Sequence, residues 1–335
     1  MKYDFIDSSK NDIFSGLRGS DLQDLLVQTE KYLLMYRNIL GLPKDVTFGC
    51  EIEYEGLSKG AVDKYVDKHL NNWASDIDVS LDTGGEIKSP VMTDDINCWQ
   101  ELRKICKYLA RNGANTVHYA GGHIHVGTCA LGGEVEAWRQ FLKLYTLYES
   151  VIFRFIYGDK INWRAKQLRF ARPMADLIYC NLRDINSVTL LLDIKSILTP
   201  SLEFDRCFAI NFCNVNADEP NNNTSKNTIE FRSPNATTNS IVWQNNINVF
   251  TKMLLVARNG KLDEDFLDYK LADEFVPFEN AGYMYSMVNL RKVLEFVDLV
   301  FDNNLDKVYF LRQYLKDLRD GYNLNTMVRA KRFTK

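Results

Sequence analysis

Glu51 and Glu53 stand two residues apart in the run Phe48-Gly49-Cys50-Glu51-Ile52-Glu53-Tyr54. Phe48, Cys50, Ile52 and Tyr54 alternate with them, so an extended chain turns both carboxylates to one side, roughly 6 to 7 Å apart at their Cα atoms. By itself this spacing fits a solvated strand face better than a site. His123 and His125 repeat the design around Ile124, with Gly121, Gly122 and Gly127 flanking them, and they are two of only four histidines in the chain. Paired imidazoles on one strand face can ligate a divalent metal, bind a phosphate or serve as satisfied core polar groups. Glu230 and Arg232 alternate with Ile229 and Phe231 in the same way. Glu86 stands in Gly85-Glu86-Ile87-Lys88-Ser89-Pro90, shortly after Asp78-Val79-Ser80-Leu81. A solvated or cross-strand charge pair is the bland alternative for each of these.

Several segments built alike, each an apolar face under carboxylate, imidazole or guanidinium, imply a sheet whose concave side is a charged site. Carboxylates at that density require cations. Oxygen-rich ligation with one or two imidazoles suits Mg²⁺ or Mn²⁺ better than a structural Zn²⁺, and such ions commonly carry nucleotide phosphates, which brings ATP into view. No G-x-x-x-x-G-K-[ST] run occurs, so a P-loop enzyme is disfavoured. A metal-dependent hydrolase would need more histidines than His69 and His118, which stand apart from the motif.

The elements that must position these residues follow from periodicity. Strands are predicted over 48–54, 85–89, 116–128, 206–215 and 228–233. Helices are predicted from Ser20 to Leu34, Trp99 to Asn112, Glu134 to Tyr157, Ser240 to Asn259, Val288 to Phe301 and Lys307 to Arg319, their apolar stripes read as core contacts. The Asn-rich stretch Asn216 to Asn227 reads as a long hairpin loop, either plain surface or a lid. We expect an N-terminal helical segment (1–45), a catalytic domain (46–260) and a C-terminal helical extension packed on it (261–335).

Composition narrows the partners. Lys plus Arg number 41 against 44 Asp plus Glu, for a net charge of −3, which argues against a polybasic nucleic-acid binder. The seven cysteines are scattered without a C-x-x-C pair and read as reduced thiols of a cytoplasm-like compartment. The start has no apolar signal region and no segment is long enough to span a bilayer, so a soluble cytoplasmic protein without membrane partners is expected.

In this order, the motifs Phe48-Gly49-Cys50-Glu51-Ile52-Glu53, Asp78-x-Ser80-Leu81, Gly85-Glu86-Ile87-x-Ser89-Pro90, Gly122-His123-Ile124-His125-Val126-Gly127 and Ile229-Glu230-Phe231-Arg232 resemble those of the amidoligase family. That family is similar to glutamine synthetase and glutamate-cysteine ligase. The resemblance spans about Phe48 to Gln244. It implies an α+β fold with a glutamine-synthetase-like curved, mainly antiparallel sheet, helices on its convex face and the site in the concavity. It also implies an ATP-dependent ligase that joins a carboxylate to an amine through an acyl phosphate, using two or more Mg²⁺ or Mn²⁺ ions.

Carried over by residue, the resemblance gives one ion to Glu51, His125 and Glu230 and a second to Glu53 and Glu86, with His123 as an alternative imidazole. Arg232 would contact the γ-phosphate, and Asp78 would orient the amine; these two and Glu86 are the candidate catalytic residues. Arg206 and Asn211 are assigned to nucleotide or substrate contact, and Ser80 and Ser89 to the pocket wall. Val79 departs from the glycine common at that place, which puts the placement of Asp78 in question. The carboxylate and amine stay open across small molecules, peptides, protein side chains and a modified nucleobase. The alternatives are a metal-dependent phosphotransferase and a non-catalytic binding or structural protein on the same fold.

Overall fold

Alternation of apolar and charged residues produces strands where it is expected, and helices fill the intervals between them. The computed structural model describes residues 34–78, 80–81, 83–116, 120–158, 170–199, 207–223, 226–277 and 287–315. In chain order the elements are β1 (Phe48–Tyr54), α1 (Lys59–His69), β2 (Ala74–Asp76), β3 (Gly85–Lys88), α2 (Ile96–Arg111), β4 (Gly122–Gly127) and α3 (Val135–Tyr157). There follow α4 (Ala175–Cys180), α5 (Leu182–Ser187), α6 (Leu191–Leu198), β5 (Ile210–Asn211), β6 (Thr228–Phe231), α7 (Ser240–Arg258), α8 (Glu264–Glu274), α9 (Met287–Val300) and α10 (Asn304–Tyr314). The fold is α+β, with one open six-stranded sheet in the order β2-β3-β1-β4-β6-β5. Every pairing in it is antiparallel.

The apolar face of the sheet carries Ile52, Ile87, Ile124, Val126, Ile229 and Phe231, all fully buried. Helices close over it. Phe231 stacks on Phe250 of α7 at 4.1 Å and meets Phe141 of α3 edge-on at 6.3 Å, and Phe48 stacks on Trp99 of α2 at 5.0 Å. Gly122 is what lets α7 come so near, since a Cβ there would lie 2.7 Å from the Trp243 ring. Burial of each such large apolar side chain contributes about 1.5–3 kcal/mol, so this face is where the sheet gains its stability.

Polar anchors fix the outer pieces to this core. The Asp94 carboxylate accepts from the N–H groups of Leu40, Gly41 and Leu42 and from Trp99 Nε1, strapping the segment before β1 to α2. Buried Lys143 of α3 pairs with Glu264 and Asp268 of α8. On α10, Phe310 stacks on Phe155 of α3, and Gln313 bonds Asn245 and Asn246 of α7.

The strand predicted over 206–215 shrinks to two residues. Asn211 explains this: its Oδ1 accepts the N–H of Cys213, a side-chain turn that ends the ladder. The strand predicted from Thr116 begins at Gly122, with residues 117–119 outside the described part. The predicted helix from Ser20 also falls outside it, apart from Leu34. No described helix is long and apolar enough to cross a membrane.

Candidate metal centre

Antiparallel register brings the motif residues together on the other face of the sheet. Glu51 of β1 stands opposite His123 of β4 and Lys88 of β3, and Glu53 stands opposite Glu86. His125 pairs with Glu230 of β6, which pairs in turn with Asn211 of β5. Strands distant in sequence thus place four glutamates and two histidines side by side.

Glu51 is the hub. Its Oε2 lies 2.8 Å from His123 Nδ1 and its Oε1 3.1 Å from His125 Nε2. His123 Nδ1 is also 3.5 Å from Glu230 Oε1, and His123 Nε2 is 3.7 Å from Glu53 Oε1. Two triads of donor atoms have all members within 4.8 Å of one another: Glu51, His125 and Glu230, and Glu51, Glu86 and His123. Glu53 sits at the margin of the second triad, because its Oε2 accepts the Gly121 N–H at 2.5 Å.

The neighbours orient these groups. Asn211 Nδ2 donates to Glu230 Oε2 at 2.7 Å, and Arg232 Nη1 lies 2.5 Å from Glu230 Oε1. Lys88 Nζ is 3.0 Å from Glu86 Oε2 and from Asp76 Oδ2. Thr228 Oγ1 lies 3.3 Å from His125 Nδ1. His125 Nε2 is buried without a hydrogen-bond partner, the 3.1 Å approach to Glu51 being misaligned for one. An unsatisfied imidazole nitrogen facing two carboxylates is the arrangement a shared cation completes.

Electrostatics separates the carboxylates. Burial disfavours the charge of Glu51, but the hydrogen bond to His123 and the closeness of both imidazoles outweigh it and hold this carboxyl well below the usual range. Burial, then the Glu51 charge, pushes Glu86 up to about 7 against the pull of the Lys88 ammonium. Burial also raises Glu53. For His123, burial opposes the proton, yet the hydrogen bond to Glu51 raises its pKa.

A cavity of about 580 Å³ adjoins the cluster, lined by Glu51, His125, Lys88 and Ser89 and also by Asn214, Asn223, Lys226 and Asn227. Asn223, Lys226 and Asn227 belong to the Asn216–Asn227 stretch. Buried Asn227 clasps it by donating to the carbonyls of Glu219 and Asn222 and accepting the Asn216 N–H.

Not every candidate reaches the centre. Ser89 lines the cavity, where its hydroxyl accepts the Cys50 N–H and donates to the Pro90 carbonyl, pinning β3 to β1. Ser80 is exposed; Asp78 accepts the Ser80 N–H in a turn, yet its charge reaches the cluster, adding to burial in raising Glu53. Asn211 reaches the cluster only through its hydrogen bond to Glu230. Arg206 and Val79 lie outside the described residues. Lys88, Thr228 and Lys226 were not singled out by their spacing; the register of β3 with β1 and the fold of the loop are what bring them to the site.

A family model described as "Putative amidoligase enzyme" matches residues 59–254. The match contains β3, β4 and β6 with Glu86, His123, His125, Glu230 and Arg232, and begins after Glu51 and Glu53. No curated protein matches the chain.

Proposed function

The chain belongs to the amidoligase family, and from that premise we propose that it is an ATP-dependent carboxylate-amine ligase working through an acyl phosphate. The observation that carries this reading is the convergence of Glu51, Glu53, Glu86, Glu230, His123, His125 and Arg232 on one sheet face beside an open cavity.

The donor set suits Mg²⁺ or Mn²⁺, being carboxylate oxygens with one imidazole in each triad, and the partnerless His125 Nε2 fits such an ion as a ligand. Glu51, His125 and Glu230 would hold one ion, and Glu51, Glu86 and His123 a second, with Glu53 alongside. When bound, these ions supply positive charge to a phosphoryl group in transfer. Such a centre matters because a carboxylate does not acylate an amine at neutral pH; phosphorylation turns it into an electrophile with a good leaving group.

Each protein group has a task in this scheme. The Arg232 guanidinium, held on Glu230, lies at the edge of the cluster and can follow a phosphoryl oxygen as charge develops. The cavity is large enough for much of a nucleotide, and Lys226, Asn214 and Asn223 offer it a cation and amide donors. Carboxylates not engaged with a cation can accept the proton that an attacking ammonium loses.

The test is calorimetric titration of ATP, with and without Mg²⁺, into wild type and a Glu51→Gln/Glu230→Gln double variant, followed by ADP release with pooled carboxylates and amines. Binding that needs the metal, is lost in the double variant and leads to amine-stimulated ADP release is the expected result. Absence of nucleotide binding in wild type would overturn the ligase reading in favour of a non-catalytic protein on this fold.

A further inference from the structure

Lys88 has no part in the scheme above, yet its register sets it across from Glu51 and two residues from Glu86, with its side chain on the site face. Its Nζ lies 3.0 Å from both Glu86 Oε2 and Asp76 Oδ2, and the residue also lines the cavity. Glu86 is at once the partner of this ammonium and a member of the Glu51, Glu86 and His123 triad. A monovalent cation therefore already rests on one ligand of that triad.

A divalent ion held by the same carboxylate would meet the Lys88 ammonium within a few ångströms. Like charges that close repel strongly where water is partly excluded. The first triad, Glu51, His125 and Glu230, does not include Lys88's partner, so the penalty falls mainly on the second. Two features can relieve it. Asp76, more than half exposed, offers Lys88 a carboxylate away from the triad, and an anion in the adjoining cavity would neutralise ion and ammonium together.

Resting on the ligase reading, we propose that Lys88 makes the second triad nucleotide-dependent: the ammonium occupies Glu86 in the empty chain, and a divalent ion enters only with a polyphosphate anion in the cavity. Ion and nucleotide then strengthen each other's binding by the same factor. The device would keep the site from filling with metal before its substrate arrives.

The experiment is Mn²⁺ titration of the full chain, followed by electron paramagnetic resonance of the free ion. It is run on wild type and Lys88→Met, with and without a non-hydrolysable ATP analogue, whose own Mn²⁺ binding is measured in the same buffer and subtracted. Wild type should bind one Mn²⁺ tightly and a second at least about tenfold more weakly, with the analogue closing that gap. Lys88→Met should bind the second ion nearly as tightly as the first without the analogue, and Lys88→Arg should behave as wild type. Second-ion affinity in Lys88→Met equal to or below that of wild type overturns the proposal. If Lys88→Met does not fold, Asp76→Asn at the more exposed partner decides. It leaves Lys88 on Glu86 alone and should weaken the second ion further; an unchanged second ion overturns the idea. No Mn²⁺ binding by wild type in any condition would instead remove the metal centre itself, and the proposal with it.

Discussion

Glu230 depends on its neighbours for its place. Asn211 donates to one of its oxygens and Arg232 to the other, so both oxygens are directed by the protein's own side chains. Removing such a partner from a ligand typically costs about 10- to 100-fold in metal affinity or activity. Asn211→Ala should therefore weaken Mn²⁺ binding by about that factor with little change in melting temperature; an unchanged affinity would reduce Asn211 to a turn residue. Glu149, on the covered side of α3, titrates away from the site. It is buried and accepts the N–H groups of Met174 and Ala175 at 2.6 and 3.2 Å. Burial outweighs those bonds and pushes its carboxyl from an ordinary 4.5 up to about 7. The folded chain thus holds a proton that the unfolded chain has lost between these values. Its contribution is fully present below about 4.5 and lost as pH rises through about 7. Glu149→Gln should flatten the fall of the urea midpoint across that window, and a slope identical to wild type would contradict the assignment.

At the scale of elements, two connections decide how well the site is held. Asn227 makes three hydrogen bonds within its own loop, each worth about 0.5–1.5 kcal/mol net. Asn227→Ala should speed amide exchange across residues 216–223 and weaken any ligand of the cavity, while β1 and β4 exchange as before. Exchange unchanged in the loop would show that other contacts hold it. Gly84, just before β3, has φ +121, and a Cβ there would fall 1.8 Å from the Tyr54 carbonyl oxygen. This is a backbone clash in a conformation that favours glycine. Gly84→Ala should cost about 2–3 kcal/mol in chemical denaturation, and a wild-type midpoint would mean that the turn relaxes at no cost.

For the whole molecule, the same division recurs: helices cover one face of the sheet, and the other carries the cluster of carboxylates and imidazoles. The last helices belong to the covering. Phe310 of α10 stacks on Phe155 of α3 at 4.5 Å, and Gln313 satisfies buried amides of α7. A chain ending at residue 277 would bare these surfaces. It should lose its cooperative melt or aggregate, as followed by calorimetry and light scattering; a monomeric, cooperatively melting fragment would make the C-terminal helices a separate unit.

The alternation of side chains in β1, β4 and β6 could be read from sequence alone, because a strand's period of two shows directly which residues share a face. Glu51, Glu53, His123, His125, Glu230 and Arg232 were legible for that reason. So were the long helices α2, α3 and α7, whose apolar stripes recur every three to four residues. What depends on pairing between distant strands was not. Register alone brought Lys88 opposite Glu51 and Asp76 beside Lys88, and it set Glu86 in a triad while Glu53 turned to the Gly121 N–H. The loop wall also escaped, since Asn227 works through bonds to carbonyls that no composition rule indicates. Local alternation therefore determined which residues could do chemistry here, and only the tertiary structure decided which of them meet, because contact between strands far apart in sequence is set by the packing of the whole sheet.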